Sequence, residues 1–205
     1  MRFVLASGNA HKLGEFRAIL APHVVEAMPH GVELPPEGTE SFAVNARAKA
    51  VALARALTAS SGGAPTDAFV IADDSGLEVD SLGGAPGVIS SRYAGAEGDT
   101  PANNARLLTE LKAFADPAAR RAHFVCALAC VTPEGLEVEV RGEWPGTIAP
   151  APRGAGGFGY DPLVIPNGET RSVAELSEDE KNAASHRARA GRALLAALAA
   201  LGHLS

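Results

Sequence analysis

The stretch IADDSGLEVD, Ile71 to Asp80, places two carboxylates, Asp73 and Asp74, after the apolar run AFVIA and before a Ser-Gly pair typical of a turn. The run predicts a buried strand that ends at these acids. Adjacent like charges raise each other's pKa, so the pair needs a cation, hydrogen-bond donors or a catalytic use. Because successive strand side chains point to opposite faces, we expect one acid to face a reacting centre and the other to be a hydrogen-bonded support.

The composition predicts one compact domain, residues 1–205. The chain has 205 residues, 46% of them hydrophobic, which is enough for a substantial core. A formal net charge of −6 argues against nonspecific nucleic-acid or membrane-surface binding, which normally needs a basic face. Cys126 and Cys130 match no zinc or disulfide pattern, and no window is apolar enough to span a membrane. We expect a cytoplasmic protein without nucleic-acid or membrane partners.

Alternating strand and helix patterns predict an α/β fold with a mixed sheet. RFVLA reads as a strand, SGN as a turn and AHKLGEFRAIL as a helix, followed by a strand in VVEAM. A long helix follows Thr39 or Ser41 as its cap, and TPANNARLLTELKAF is a helix capped by Thr100. AHFVCALACV and LEVEVRGEW form a hairpin, and LVIP is a brief strand. Ser177 and Glu180 have capping-box spacing before the last helical region.

Basic residues fall twice at predicted helix starts. His11 and Lys12 lie in the first turn after SGN, and His186 and Arg187 begin another helix, with Lys181 one turn earlier. A cation opposes the helix dipole there, and a nearby anion would reverse that penalty. A solvated basic face explains each stretch taken alone. The two together favour a polyphosphate ligand.

An oxygen-rich metal site is the second chemical hypothesis. Glu37, in the loop before the long helix, and Asp74 offer carboxylates of the kind that Mg²⁺ combines with water and phosphate oxygens. The plainer alternative is that Asp73 and Asp74 form a turn with Ser75 and Gly76.

The segment GAGGFG, residues 154–159, matches a dinucleotide-binding pattern but has neither a strand before it nor a helix after it. No phosphate-binding G-x-x-x-x-G-K-[ST] motif occurs either. We therefore reject both nucleotide-binding folds.

Five segments, SGNAHKLGEF, FAVNARAKA, ADDSGLEVDSLGGAPGVISSRYAG, GGFGYDPLV and EKNAASHRARA, stand in an order and spacing that closely resemble the Ham1-like nucleoside triphosphate pyrophosphatases. These are the dITP/XTP or inosine triphosphate pyrophosphatases. The resemblance covers nearly the whole chain. It implies a homodimer whose subunit folds around a long twisted mixed β-sheet flanked by helices, with two lobes around a nucleotide cleft (ITPase-like).

The resemblance also implies roles for individual residues. Asp74 matches the proton acceptor and Mg²⁺ ligand, and Glu37 would be a second ligand. The implied substrate contacts are Ser7, Gly8, Asn9, Ala10, His11, Lys12, Ser75, Phe158, Gly159, Tyr160, Asp161, Lys181, His186 and Arg187.

The resulting hypothesis is Mg²⁺-dependent hydrolysis of noncanonical purine nucleoside triphosphates (dITP, ITP, XTP) to the monophosphate and pyrophosphate, which cleanses the nucleotide pool. The cation expected beside Asp73 and Asp74 is then Mg²⁺ carried by the substrate. Two alternatives stay open: a Maf-like pyrophosphatase acting on modified or pyrimidine nucleotides, and a catalytically silent nucleotide-binding protein.

Overall fold

The computed structural model describes residues 1–63, 66–114 and 116–204. Across these residues six strands form one sheet: β1 (Arg2–Leu5), β2 (Val24–Ala27), β3 (Phe69–Val79), β4 (Arg121–Val131), β5 (Glu137–Ile148) and β6 (Val164–Pro166). Their order in the sheet is β2-β1-β3-β4-β5-β6.

Five α-helices and five short 3₁₀ segments complete the described part of the fold, and the α-helices are α1 (Ala10–Ile19), α2 (Phe42–Ser60), α3 (Thr100–Glu110), α4 (Glu178–Ala184) and α5 (His186–Ala200). In the described ranges, none of these helices combines the length and apolarity needed to cross a bilayer.

The sheet is mixed, as the sequence predicted. β1 pairs in parallel with β2 and with β3, whereas β5 and β6 are antiparallel. Parallel neighbours need a crossover connection, and α1 and α2 supply those between the first three strands. The short connection between β4 and β5 has Thr132 N donating to Leu136 O at 2.9 Å, and the two strands are neighbours in the sheet.

β3 is longer than the sequence predicted, and the expected turn at Ser75 and Gly76 is wrong. Both residues lie inside β3. The strand continues because Leu77 and Val79 keep the two-residue alternation and are fully buried. β5 also extends further, to Ile148, because its end pairs with β6.

The helix caps follow the predictions except at α3. Ser41 caps α2, accepting from Val44 N at 3.2 Å, and the predicted capping box precedes α4. At α3 the cap is Asp99, whose carboxylate accepts from Ala102 N at 3.0 Å, because Thr100 is already in the helix. Ser185 has extended backbone between α4 and α5.

The chain divides into two compact units. The first unit comprises Met1–Asp74, Cys126–Gly142 and Arg187–Ser205, and the second comprises Ser75–Val125 and Glu143–His186.

Each unit has its own apolar core, in which fully burying one large side chain contributes about 1.5–3 kcal/mol. The core of the first unit includes Phe3, Leu5, Phe16, Leu20, Ile71, Leu128 and Leu194. That of the second includes Leu77, Tyr93, Leu107, Leu111, Trp144, Tyr160 and Leu163.

Candidate active site

Asp73 is completely buried in the middle of β3 and is paired with two cations of the protein. Lys12 Nζ lies 2.9 Å from Asp73 Oδ2, and Arg187 Nε lies 3.4 Å from the same oxygen. Burial alone would raise the pKa of Asp73, but Lys12 and Arg187, with a further contribution from Lys49, lower it below its ordinary value. The expectation that substrate-borne Mg²⁺ is the cation for both acids is therefore wrong for Asp73.

Arg187 connects Asp73 to a third acid, Glu15. Arg187 is 3% exposed, and its Nη1 donates to Glu15 Oε2 at 3.0 Å. The sequence reasoning missed Glu15. The available signal was an acid three residues after Lys12, because positions i and i+3 of a helix share one face. Glu15 thus binds Nη1 of the guanidinium while Asp73 binds Nε.

Asp74 has different neighbours. Asn45 Nδ2, on α2, donates to Asp74 Oδ2 at 2.8 Å. Burial raises the pKa of Asp74, repulsion by Glu37 raises it further, and Lys49 and Asn45 act in the opposite direction. The net effect is a pKa above the ordinary aspartate value. Such a carboxylate accepts a proton more readily than Asp73 does.

Asn45 fixes the loop that carries Glu37. Its Oδ1 accepts from Gly38 N at 2.9 Å, and its Nδ2 donates to Gly38 O at 3.2 Å as well as to Asp74. One buried amide therefore anchors both acids for which the sequence predicted metal binding. Asn45 thus links the Glu37 loop and β3, which are distant from each other in sequence, to α2.

Lys49 completes this group. Its Nζ contacts Glu37 Oε1 at 2.5 Å, and the residue is only 7% exposed. Burial lowers the pKa of the ammonium, but attraction by Asp73, Glu37 and Asp74 outweighs burial and raises it.

The sequence reasoning missed both Asn45 and Lys49. They lie four residues apart on the buried face of α2, together with Phe42, Ala46, Ala50 and Leu53. Polar side chains on the apolar stripe of a helix are unusual and were the signal that could have identified them.

Residues 6–9 connect β1 to α1, and residues 10–12 form the first turn of that helix. Gly8 to His11 are exposed, and Asn9 is the N-cap of α1. Asn9 Oδ1 accepts from His11 N at 2.9 Å and from Lys12 N at 3.3 Å. The helix start predicted for anion binding is present, with its first N–H groups held by the Asn9 amide.

In the second unit, Asp161 joins two predicted substrate contacts. Its Oδ2 accepts from Lys181 Nζ at 2.7 Å and from Phe158 N at 2.8 Å. Lys181 Nζ also lies 4.5 Å from the centre of the Phe158 ring, within range of a cation–π interaction. Asp161 thus fixes an aromatic ring and an ammonium beside each other.

The glycines of GAGGFG allow this arrangement rather than a dinucleotide fold. Gly157 has φ +70°, and a Cβ there would lie 2.0 Å from Asp161 Oδ2. A Cβ on Gly154 would lie 2.6 Å from the Ala174 backbone. The segment follows β5 through a loop and leads to β6, which agrees with the rejection of the dinucleotide motif.

The remaining predicted contacts are placed as follows. The Tyr160 hydroxyl donates to Ser90 O at 2.8 Å and the ring is in the core, so burial raises the pKa of Tyr160. His186 is buried, with its ring stacked on Phe124 at 4.9 Å between centroids. Ser75 follows Asp74 inside β3. Tyr160 is therefore suited to support the segment around Phe158 rather than to offer its hydroxyl.

The oxygen atoms of Glu37 and Asp74 suit a hard divalent cation. Within the described ranges, no group of three or more His, Cys, Asp or Glu side chains is arranged to hold a metal ion. A cation bound here would thus take its other ligands from water and substrate, as Mg²⁺ does in phosphate chemistry. The Lys49 ammonium on Glu37 marks the position as one that attracts positive charge.

Several known proteins are similar to this chain. A dITP/XTP pyrophosphatase of Streptomyces coelicolor is 48% identical over 95% of this chain and 95% of its own. One of Nocardia farcinica is 49% identical over 98% and 96%.

Solved structures are also similar to this chain. The Ham1 protein of Staphylococcus aureus superposes with a TM-score of 0.81 at 35% identity, covering 98% of this chain and 100% of its own. The nucleoside-triphosphatase or dITP/XTP pyrophosphatase of Mycobacterium abscessus gives a TM-score of 0.69 at 44% identity, covering 97% and 99%. The Ham1 family model matches residues 3–197, and the chain belongs to that family.

Proposed function

We propose that this protein hydrolyses noncanonical purine nucleoside triphosphates, dITP, ITP and XTP, to the monophosphate and pyrophosphate. The family membership and the names of the relatives support this reaction class. The single structural observation that carries it is the arrangement of Asp74, Glu37, Asn45 and Lys49. There, one buried carboxylate has a raised pKa and a second acid is held close to it.

Asp74 is the proposed general base. A raised pKa brings a carboxylate nearer to the operating pH, where proton transfer is more effective. Asn45 donates to Asp74 Oδ2, which fixes the orientation of the carboxyl group. Asp74 would then accept a proton from a water molecule attacking the α phosphorus.

Asp74 and Glu37 would also hold Mg²⁺. When bound, that ion supplies neutralising charge to the phosphate oxygens and to the departing pyrophosphate. Glu37 is kept in position through Gly38, whose N–H and carbonyl both bond to Asn45.

The proposed phosphate contacts are residues 7–12, around the start of α1. Lys12 is oriented by its ion pair with Asp73, so the ammonium is preorganised. A phosphate at the start of α1 would also interact favourably with the helix dipole.

Selectivity for the base is proposed to depend on its 6-oxo edge. Hypoxanthine and xanthine present O6 as an acceptor and N1–H as a donor, whereas adenine presents an amino donor and a bare N1. His186 would donate to O6, and Asp161 or a nearby backbone carbonyl would accept from N1–H. Arg187, expected from the sequence as a second donor, is already bound to Asp73 and Glu15. Phe158 would stack on the base. A mismatch that leaves such groups unpaired is rejected by about 10⁴-fold.

The resemblance further supports a homodimer located in the cytoplasm. Light scattering on the purified protein tests the first of these, with a dimer mass expected.

Product analysis tests the reaction. Incubation with ITP, XTP, GTP and ATP in Mg²⁺, without added pyrophosphatase, should release monophosphate and pyrophosphate in equal amounts, with ITP and XTP preferred. Orthophosphate with a nucleoside diphosphate would contradict the proposal. Preference for pyrimidine nucleotides would favour the Maf-like alternative, and binding without turnover would favour a silent binding protein.

A further inference from the structure

Lys49 places an ammonium on Glu37, one of the two acids proposed to bind Mg²⁺. A metal ion and this ammonium cannot occupy the same position. Its side chain leaves the buried face of α2 and ends at Glu37 Oε1, 2.5 Å away. One helical turn earlier, Asn45 holds Asp74 Oδ2 at 2.8 Å. The ammonium therefore contacts one of the two carboxylates to which the proposed function assigns Mg²⁺ and is attracted by the charge of the other.

A lysine that is only 7% exposed is costly unless its charge is compensated. Here the compensation is reciprocal. The acids keep the lysine charged, and the lysine reduces the repulsion between Glu37 and Asp74. Arg47, two residues earlier on the same helix, points elsewhere and contacts Glu137 on an exposed surface. The buried position of Lys49 thus belongs to the acid pair rather than to the helix in general.

We propose that Lys49 is a resident cation that holds the Glu37–Asp74 pair in the metal-free protein and must leave Glu37 before a divalent cation can bind. The inference rests on the proposed function for the identity of the metal ligands. Lysine has a flexible four-carbon stem, so its ammonium can move while α2 stays in place.

The order of binding follows from this competition. A divalent cation arriving alone meets a site whose negative charge Lys49 has partly neutralised, and the ammonium repels it. A cation arriving with a triphosphate brings negative charge to which the displaced ammonium can turn. The free protein is thus expected to bind divalent cations weakly, and the triphosphate and the cation to bind together.

Mn²⁺ titration of the protein without nucleotide, followed by the electron paramagnetic resonance signal of free Mn²⁺, tests the proposal. Lys49→Met should bind Mn²⁺ at least about tenfold more tightly than the wild type. Lys49→Gln, which keeps a polar end without the charge, should change in the same direction. The matched control Arg47→Met removes a charge from the same helix and should leave the affinity unchanged.

Urea unfolding in EDTA gives an independent readout of the same variants. Lys49→Met should unfold at lower urea than the wild type, and Mn²⁺ should restore its stability. Adding Glu37→Gln to Lys49→Met should remove the gain in Mn²⁺ affinity.

Mn²⁺ affinity in both neutral variants equal to or weaker than that of the wild type would overturn the proposal. Tight Mn²⁺ binding in the double variant that combines Lys49→Met with Glu37→Gln would also overturn it. Because no nucleotide is present, these results do not depend on whether pyrophosphate is the product, which is measured separately on the wild type.

Discussion

Asp73 and Asp74 are adjacent in sequence, yet the regions around them are built differently. Asp73 is closed in by α1 and α5 and bonded to Lys12 and Arg187. Asp74 faces α2 and the Glu37 loop, with a neutral amide as its bonded partner. The pKa of the first is lowered by cations, and that of the second is raised by burial and by a neighbouring acid.

The difference shows how two adjacent aspartates in one strand can have different functions. Alternation sends the two side chains to opposite faces, so each meets a different helix. The face with two fixed cations yields a permanently charged support. The face with an acid and an amide yields a carboxylate that can take up a proton or bind a cation.

The largest effect on stability is expected from Asp73→Asn, which removes the acid that Lys12 and Arg187 share. Removing one partner of a buried ion pair leaves uncompensated charge and costs about 3–5 kcal/mol of the free energy of unfolding. Urea unfolding at pH 7 measures this directly.

The pH dependence of that loss has a defined sign. Because the folded pKa of Asp73 lies below the ordinary 3.8, its stabilisation is present above that value and is lost as the pH falls through the folded pKa. The difference in the free energy of unfolding between the wild type and Asp73→Asn should therefore become smaller below about pH 4. A difference that becomes larger there would show that Asp73 is not held ionised by its partners.

Asn45→Ala should have the next largest effect and acts on the second region. It removes a bond to a carboxylate, worth about 1.5–3 kcal/mol, and two bonds to Gly38. We expect lower stability together with a large loss of kcat/KM, because both acids lose their anchor.

The matched control is Asn103→Ala, which removes a buried amide that holds Ser91 and Ala94 in the second unit. It should lose stability but keep most of its activity per folded molecule. Equal losses of activity in the two variants would mean that Asn45 acts only through the fold.

The smallest expected effect is a change in the pKa of Asp74. The charge of Glu37 raises the pKa of Asp74, so Glu37→Gln should lower that pKa. Carbon NMR of the aspartate carboxyl groups in metal-free protein measures it, with Asp74→Asn assigning the signal. The exposed Glu40→Gln in the same loop serves as control. A rise in the pKa of Asp74 would contradict the description of this region.

Local periodicity and capping were sufficient to predict the α/β class, the mixed sheet and most element positions. The five motifs in their order and spacing indicated the family. Sequence patterns were insufficient where contacts between residues distant in sequence determine the structure. Ser75 and Gly76 have turn chemistry, but buried Leu77 and Val79 keep them in β3. The partners of Asp73 are 61 and 114 residues away, and no local pattern points to them. Asn45 and Lys49 were detectable only as polar exceptions on an apolar helix face.

The central claim is that Asp74 performs the chemistry while Asp73 supports the fold, and Asp74→Asn tests it most directly. On one preparation, urea unfolding in EDTA and turnover of ITP with Mg²⁺ should be measured beside the control Asp80→Asn, an exposed acid beyond the end of β3. Because burial and Glu37 disfavour ionised Asp74 while Lys49 and Asn45 favour it, the variant should lose much less stability than Asp73→Asn. Its kcat should fall by about 10²- to 10⁴-fold. Retention of more than about a tenth of kcat, or a loss of stability like that of Asp73→Asn, would contradict the account.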